Sequence, residues 1–413
     1  MKLVNNSEKM LRAIEAQDLT QAEHFFEKAL LEDSNEVLLD LAEYLENIGF
    51  FIQAKQIYKK LASLYPQVNL SLAAIANEDG DLEEAFSYLE EISPESPWYI
   101  HALLVKADLY QMEGLPDVAR EKLAEASQLS DEAIITFGLA EIDFELGHFK
   151  QAIQEYASLD NREIYEQTGI STYQRIGVSY ASLGKFEVAI EFLEKAIELE
   201  YDEATVFGLA TILYDQGEYQ KANLYFKQLD TMSPDFEGYE YVYALSLHEE
   251  HQVDAALSIT KQGLSKNPFD TQLFLLASQL SYELHDMKRA EHYLLEAWEN
   301  ADDLEEIALR LTNLYLEQER YEDILALDNQ EWDNILTRWN ISRSYQALEQ
   351  LEKAQVLYEA LHKDLRDNPE FLEEYIYLLR ECGDFEAAKK EAEHYLTLVP
   401  DDGSMQELLE QLE

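Results

Sequence analysis

The chain of 413 residues holds one cysteine, eight prolines and 14 glycines, and its acidic side chains outnumber its basic ones by 84 to 31. Each scarcity excludes something. The lone Cys382 cannot close an internal disulfide and has no CxxC neighbour, which removes a zinc ribbon and agrees with a reducing compartment. Beside Gly383 at the end of a helix, it reads as a buried and inert thiol. So little proline and glycine leaves little room for long loops. No stretch approaches the roughly 18 apolar residues of a membrane span, and residues 1–17 are polar and helical in pattern, without the apolar core of a secretion signal. A cytoplasmic location is expected. The shortage of positive charge leaves a net charge of -53. Such a field repels phosphate backbones and anionic headgroups, so neither nucleic acid nor membrane is expected as a partner. It suits a basic protein partner, or simply keeps a long exposed molecule soluble.

Motifs that carry chemistry are also missing. There is no HExxH, no phosphate loop, no dinucleotide fingerprint and no nucleophile in a recognisable setting. His248 and His251 lie one turn apart and His285 holds the matching turn site of the next repeat, but stacked repeats about 10 Å apart do not converge three ligands within bonding distance. Histidine at such a turn reads as a residue that tolerates the positive φ glycine otherwise supplies, and Asp79-Gly80-Asp81 reads as a turn followed by a helix start. No catalytic residue, metal or cofactor is expected.

What the chain has in abundance is repetition. A turn residue, an apolar residue two positions on and an alanine three further recur: Gly49, Phe51, Ala54; Gly80, Leu82, Ala85; Gly147, Phe149, Ala152; Gly184, Phe186, Ala189; Gly217, Tyr219, Ala222; Gly383, Phe385, Ala388. Alignment on the alanine gives twelve copies from Ala22 to Ala388, with Ile324 in its place in the tenth. Twelve positions earlier sits a second small residue in most copies, among them Ala42, Ala73, Gly177, Ala210 and Ser278. Two helices of a hairpin approach closely only where neither carries a bulky side chain, so these pairs mark tight crossings. The period therefore predicts an all-α solenoid of about twelve helical hairpins. His251, His285, Glu319 and Glu349 replace the turn glycine, which predicts looser or differently shaped turns. The longest alanine spacing, 37 residues from Ala152 to Ala189, predicts a lengthened helix or a bend around residues 161–170 and a hinge dividing 1–164 from 165–402. Leucines at 408, 409 and 412 predict a capping helix over 403–413.

On these residues the chain resembles the tetratricopeptide repeat, whose unit is two antiparallel helices in about 34 residues. Repeat 6 carries the likeness best, with Gly177 and Tyr180 on its first helix, Gly184 and Phe186 at the turn, and Ala189, Leu193 and Ala196 on its second. Prolines at 66, 97, 234, 268 and 400 close units. The resemblance implies a right-handed superhelix whose first helices line a concave groove through unit positions 2, 5, 9, 12 and 13. Of sixty such positions here, sixteen are acidic and two, Arg343 and Arg380, are basic. The Lys, Arg and Asn cluster with which some such domains clamp a carboxylate tail is missing.

An apolar side chain recurs at position 5, and the aromatic ones, Phe137, Phe207, Tyr241 and Trp339, are the expected contact residues, flanked by Glu141, Asp215 and Glu249. The competing reading is that position 5 packs against the neighbouring unit. Tyr239, Tyr241 and Tyr243 alternate as a strand would, but the repeat register places them on one helix, with Tyr241 toward the groove. The resemblance implies a non-catalytic scaffold or adaptor that binds a protein or peptide with apolar anchors and basic flanks. A second reading is a peptide-responsive regulator resembling the tetratricopeptide receptors of Gram-positive bacteria. Many of those carry a further helical domain ahead of the repeats, whereas repeat 1 begins here by about residue 3.

Overall fold

The structure, a computed structural model, describes residues 5–412, so the opening of repeat 1 near residue 3, the first four residues of the 1–17 segment and Glu413 lie outside it. Among the described residues the regular structure is 26 helices, divided between two compact units, 1–205 and 206–413.

Unit 1 opens with hairpins α1 (Asn6–Glu15) with α2 (Leu19–Glu32), α3 (Asn35–Asn47) with α4 (Phe51–Leu61), and α5 (Val68–Glu78) with α6 (Leu82–Glu90). It continues with α7 (Tyr99–Met112) and α8 (Pro116–Leu129), then α9 (Ala133–Glu145) and α10 (Phe149–Ala157). A short α11 (Asn161–Thr168) follows, then α12 (Thr172–Ser182) with α13 (Phe186–Leu199). The boundary falls inside α14 (Glu203–Asp215), the partner of α15 (Tyr219–Met232). Unit 2 then pairs α16 (Tyr239–Glu249) with α17 (Val253–Lys266), and α18 (Thr271–Glu283) with α19 (Met287–Asn300). The last three pairs are α20 (Glu305–Glu317) with α21 (Tyr321–Ala326), α22 (Ile335–Ala347) with α23 (Leu351–Leu365), and α24 (Pro369–Glu381) with α25 (Phe385–Leu398); α26 (Gly403–Leu412) ends the series.

The crossings form where the small residues lie. Ala54, Ala85, Ala119, Ala152, Ala189, Ala222 and Ala256 are fully buried, as are their partners Ala42, Ala73, Ala140, Ala210 and Ala244. The helices come so near in the ninth hairpin that the Ser278 hydroxyl donates to the Ala290 carbonyl at 2.9 Å. Repeat 10 accommodates Ile324, fully buried, because its second helix α21 is only 6 residues long. Trp332 fills the space beyond it, its indole N–H donating to the Leu327 carbonyl.

All twelve hairpins turn alike. The residue two positions beyond the first helix has a positive φ, and the residue after it donates back five positions, as Glu218 N does to Leu213 O at 2.9 Å. His251, His285, Glu319 and Glu349 take φ of 58°, 60°, 55° and 57°, and Gln252 N, Asp286 N, Arg320 N and Gln350 N make the same bond. The expectation of looser turns at these sites is thus corrected: the backbone hydrogen bonds hold non-glycine residues in the left-handed region despite its cost. The extra residues near 161 form a separate helix and do not lengthen one. α10 stops at Ser158, Asp160 caps α11 by accepting from Glu163 N, and Ile164 is buried against the fifth hairpin. The capping helix is present, with Met405 and Leu408 buried against the last repeat.

Candidate functional site

The expected contact residues divide into interior and surface groups. In unit 1, Phe137 is 6% exposed and packs on Tyr156, while Glu141 accepts from the Tyr156 hydroxyl and from Arg175 through two bonds of 2.8 and 2.9 Å. Both are spent inside the array. In unit 2, Trp339 is 5% exposed, packs edge-on against Phe371, carries Arg343 over its face at 4.1 Å and donates to Glu374. For Phe137 and Trp339 the packing role that competed with contact is what the structure displays. Phe207 is half-buried against Phe236 and Phe226.

The remaining three come together. Asp215 ends α14, Glu249 ends α16, and both are exposed; Tyr241 is half-buried on α16 between two inward neighbours, Tyr239 and Tyr243. Between them lies Tyr214, whose hydroxyl is pushed above the ordinary tyrosine range by burial first, then by the charges of Glu249, Tyr219, Asp215 and Tyr241.

A pattern that the sequence reading did not isolate is built on the same register. The last residue of the first helix is acidic in eight of twelve hairpins, at Glu15, Glu78, Glu145, Asp215, Glu249, Glu283, Glu317 and Glu381, and all eight are exposed. Five of these belong to unit 2. Carboxylates sit at the negative end of a helix dipole there, an arrangement that costs each helix roughly 0.3–1 kcal/mol at low ionic strength. Three in unit 2 accept from the penultimate residue of the preceding first helix: Glu283 faces His248 Nε2 at 2.8 Å, Glu317 the Tyr282 hydroxyl at 2.8 Å, and Glu381 the Gln346 amide at 3.4 Å. His248 is therefore a partner of a carboxylate. The signal was available as position 13 of the repeat, which alone supplies half of the sixteen acids counted there.

Beside this row a cleft of about 320 Å³ opens between α18, α19 and α20. Leu294, Leu314 and Ala290 form its floor, and Tyr282, Asn313 and Glu317 its rim. Arg310 is tied at its edge to Glu306 at 2.6 Å and to the Leu275 carbonyl. The Cys382 thiol, half-buried after α24, is pushed up by burial and by Glu381 and Asp384, which disfavours the reactive thiolate. Among the described residues no helix is long and apolar enough to cross a membrane.

Family models match the chain in three stretches: YpiA-like C-terminal tetratricopeptide repeats at residues 336–402, YpiA-like tetratricopeptide repeats at 111–164, and a tetratricopeptide repeat at 170–203. The TPR repeat-containing protein YpiA of Bacillus subtilis (strain 168) is 29% identical over 367 residues, covering 87% of this chain and 86% of its own. A tetratricopeptide repeat protein from Parabacteroides merdae is similar over 61% of this chain and 98% of that one, at 17% identity and a TM-score of 0.40. The Naa15/Naa10 structure bound to HypK-THB is similar over 92% of this chain and 65% of that one, at 14% identity and a TM-score of 0.45. With twelve hairpins of one turn geometry and a curated relative along most of its length, the chain is a tetratricopeptide-repeat protein.

Proposed function

We propose that the protein is a non-catalytic, cytoplasmic scaffold or adaptor, and that unit 2 binds a protein or peptide segment along the ends of its first helices. Tetratricopeptide proteins as a class mediate protein–protein interaction. The observation that carries the finer reading is the row Asp215, Glu249, Glu283, Glu317 and Glu381, exposed carboxylates placed where they weaken their own helices. Local conflict of this kind is expected where a surface serves function. The row favours basic side chains in the partner, and the cleft floored by Leu294 and Leu314 favours an aliphatic or aromatic anchor between them. Tyr241 and Phe207 extend the apolar part of this reading toward α14.

Panning a random peptide library on the full chain tests it. Enriched sequences are expected to combine an apolar anchor with Lys or Arg, and to lose binding to a Tyr241→Ala/Leu314→Ala variant. Enrichment of acidic or purely polar sequences would contradict the reading.

A further inference from the structure

A second cluster of charged groups lies in unit 1, away from the carboxylate row of unit 2. The Asp143 side chain on α9 is completely buried. It accepts from the Arg120 guanidinium of α8 at 2.6 and 2.8 Å, and His148 Nδ1 in the α9–α10 turn lies 2.8 Å from it. Glu155 on α10, half-buried, acts on the same Asp143 and on Arg120, and its Oε2 is sealed from solvent without a hydrogen-bond partner. Two ionised carboxyl groups can only accept, so an oxygen sealed in this cluster without a donor is satisfied only by a hydrogen shared between the two carboxyls. The Arg120 Nε and Nη2 groups aimed at this point are already committed to Asp143.

We propose that a proton held between Glu155 and Asp143 seats α10 on α9, so that its release as the pH rises loosens the fifth hairpin. The surroundings agree. Burial first, and the Asp143 charge second, push the Glu155 carboxyl up to about 7 against the opposing pull of Arg120. For Asp143, burial acts upward, but Arg120 and His148 outweigh it and hold the carboxyl below its usual range, which leaves the proton on Glu155. Two further titratable groups act on the cluster, Asp117 of α8 on Arg120 and Tyr156 of α10 on Glu155; the first is a carboxylate that can only accept, and the second donates its hydroxyl to Glu141. A carboxyl raised in the folded state takes up a proton on folding. Its contribution is full below the ordinary glutamate range and is lost as the pH climbs through about 7.

The adjacent residue gives the device its reach. Tyr156 donates to Glu141, and Glu141 holds Arg175 of α12, so the same short helix links the fifth hairpin to the sixth. Hydrogen–deuterium exchange on the full chain, corrected for intrinsic rates, tests the proposal. Between pH 6 and pH 8 the protection of residues 149–157 is expected to fall about tenfold relative to α13. Glu155→Gln, whose amide can donate to Asp143 at any pH, is expected to abolish that step. An unchanged ratio in the wild type would overturn the proposal, and so would a step that persists in Glu155→Gln. Should that variant not fold, the wild-type titration decides alone.

Discussion

A Cβ on Gly177 would lie 2.7 Å from Leu193 Cγ and 3.2 Å from the Ala189 carbonyl oxygen, whereas one on Gly208 would meet nothing within 4 Å. Helix propensity favours alanine over glycine by about 1 kcal/mol at either place, but overpacking costs about 1–3 kcal/mol. Gly177→Ala is therefore expected to lower Tm and Gly208→Ala to raise it. A rise for both would show that the sixth crossing has slack. The turn residues offer the converse test. Glu319 holds a φ of 55°, so Glu319→Gly should stabilise the tenth hairpin by about 1 kcal/mol, read as slower amide exchange in α20. Glycine at these turns was legible in the sequence, and so was the place of its substitutes. The positive φ was legible at His251 and His285 but not at Glu319 and Glu349, because the back-bonds that hold it there come from the backbone of the preceding helix. For Phe137 and Trp339 the sequence left contact and packing open for a related reason. An aromatic at position 5 reads the same whether it faces solvent or a neighbour, and only the partners Tyr156 and Phe371 distinguish the two.

Among the elements, irregular spacing was the most informative signal. The longest interval became a helix broken into α10 and α11, and the shortest, 30 residues from Ile324 to Ala354, became the six-residue α21 followed by a segment closed by Trp332. Both irregularities fall in second helices, which leaves the first helices in register. Spacing alone counts residues and does not say whether an insertion extends, splits or replaces a helix. Asp160, Trp332 and their hydrogen bonds decide that. The last element was legible from its leucines, and its role has a direct consequence. Ending the chain at Asp402 removes Met405 and Leu408 from the core and uncovers the side of α25. Each such side chain contributes about 1.5–3 kcal/mol of burial. Exchange protection in α25 is expected to collapse while that in α16 is retained, since repeats depend mainly on their neighbours. Uniform loss along unit 2 would instead indicate a single cooperative block.

For the whole molecule, the net charge of -53 predicts that association with any basic partner weakens as salt rises, and this by itself does not locate the binding face. The carboxylate row proposed as that face gives a sharper test, because it separates two effects that bulk charge would move together. Glu249→Gln/Glu283→Gln/Glu317→Gln removes three charges from the negative ends of helices. Asp254→Asn/Glu299→Gln/Glu352→Gln removes three exposed charges from second helices of the same unit. The decisive measurement is the affinity of both triple variants, by fluorescence anisotropy at fixed ionic strength, for a library-selected peptide with an apolar anchor and basic flanks. The account predicts that the row variant is as stable as the wild type or more so, and binds at least tenfold more weakly, while the second-helix variant binds nearly as well as the wild type. Equal loss in both, or none in the row variant, would contradict it.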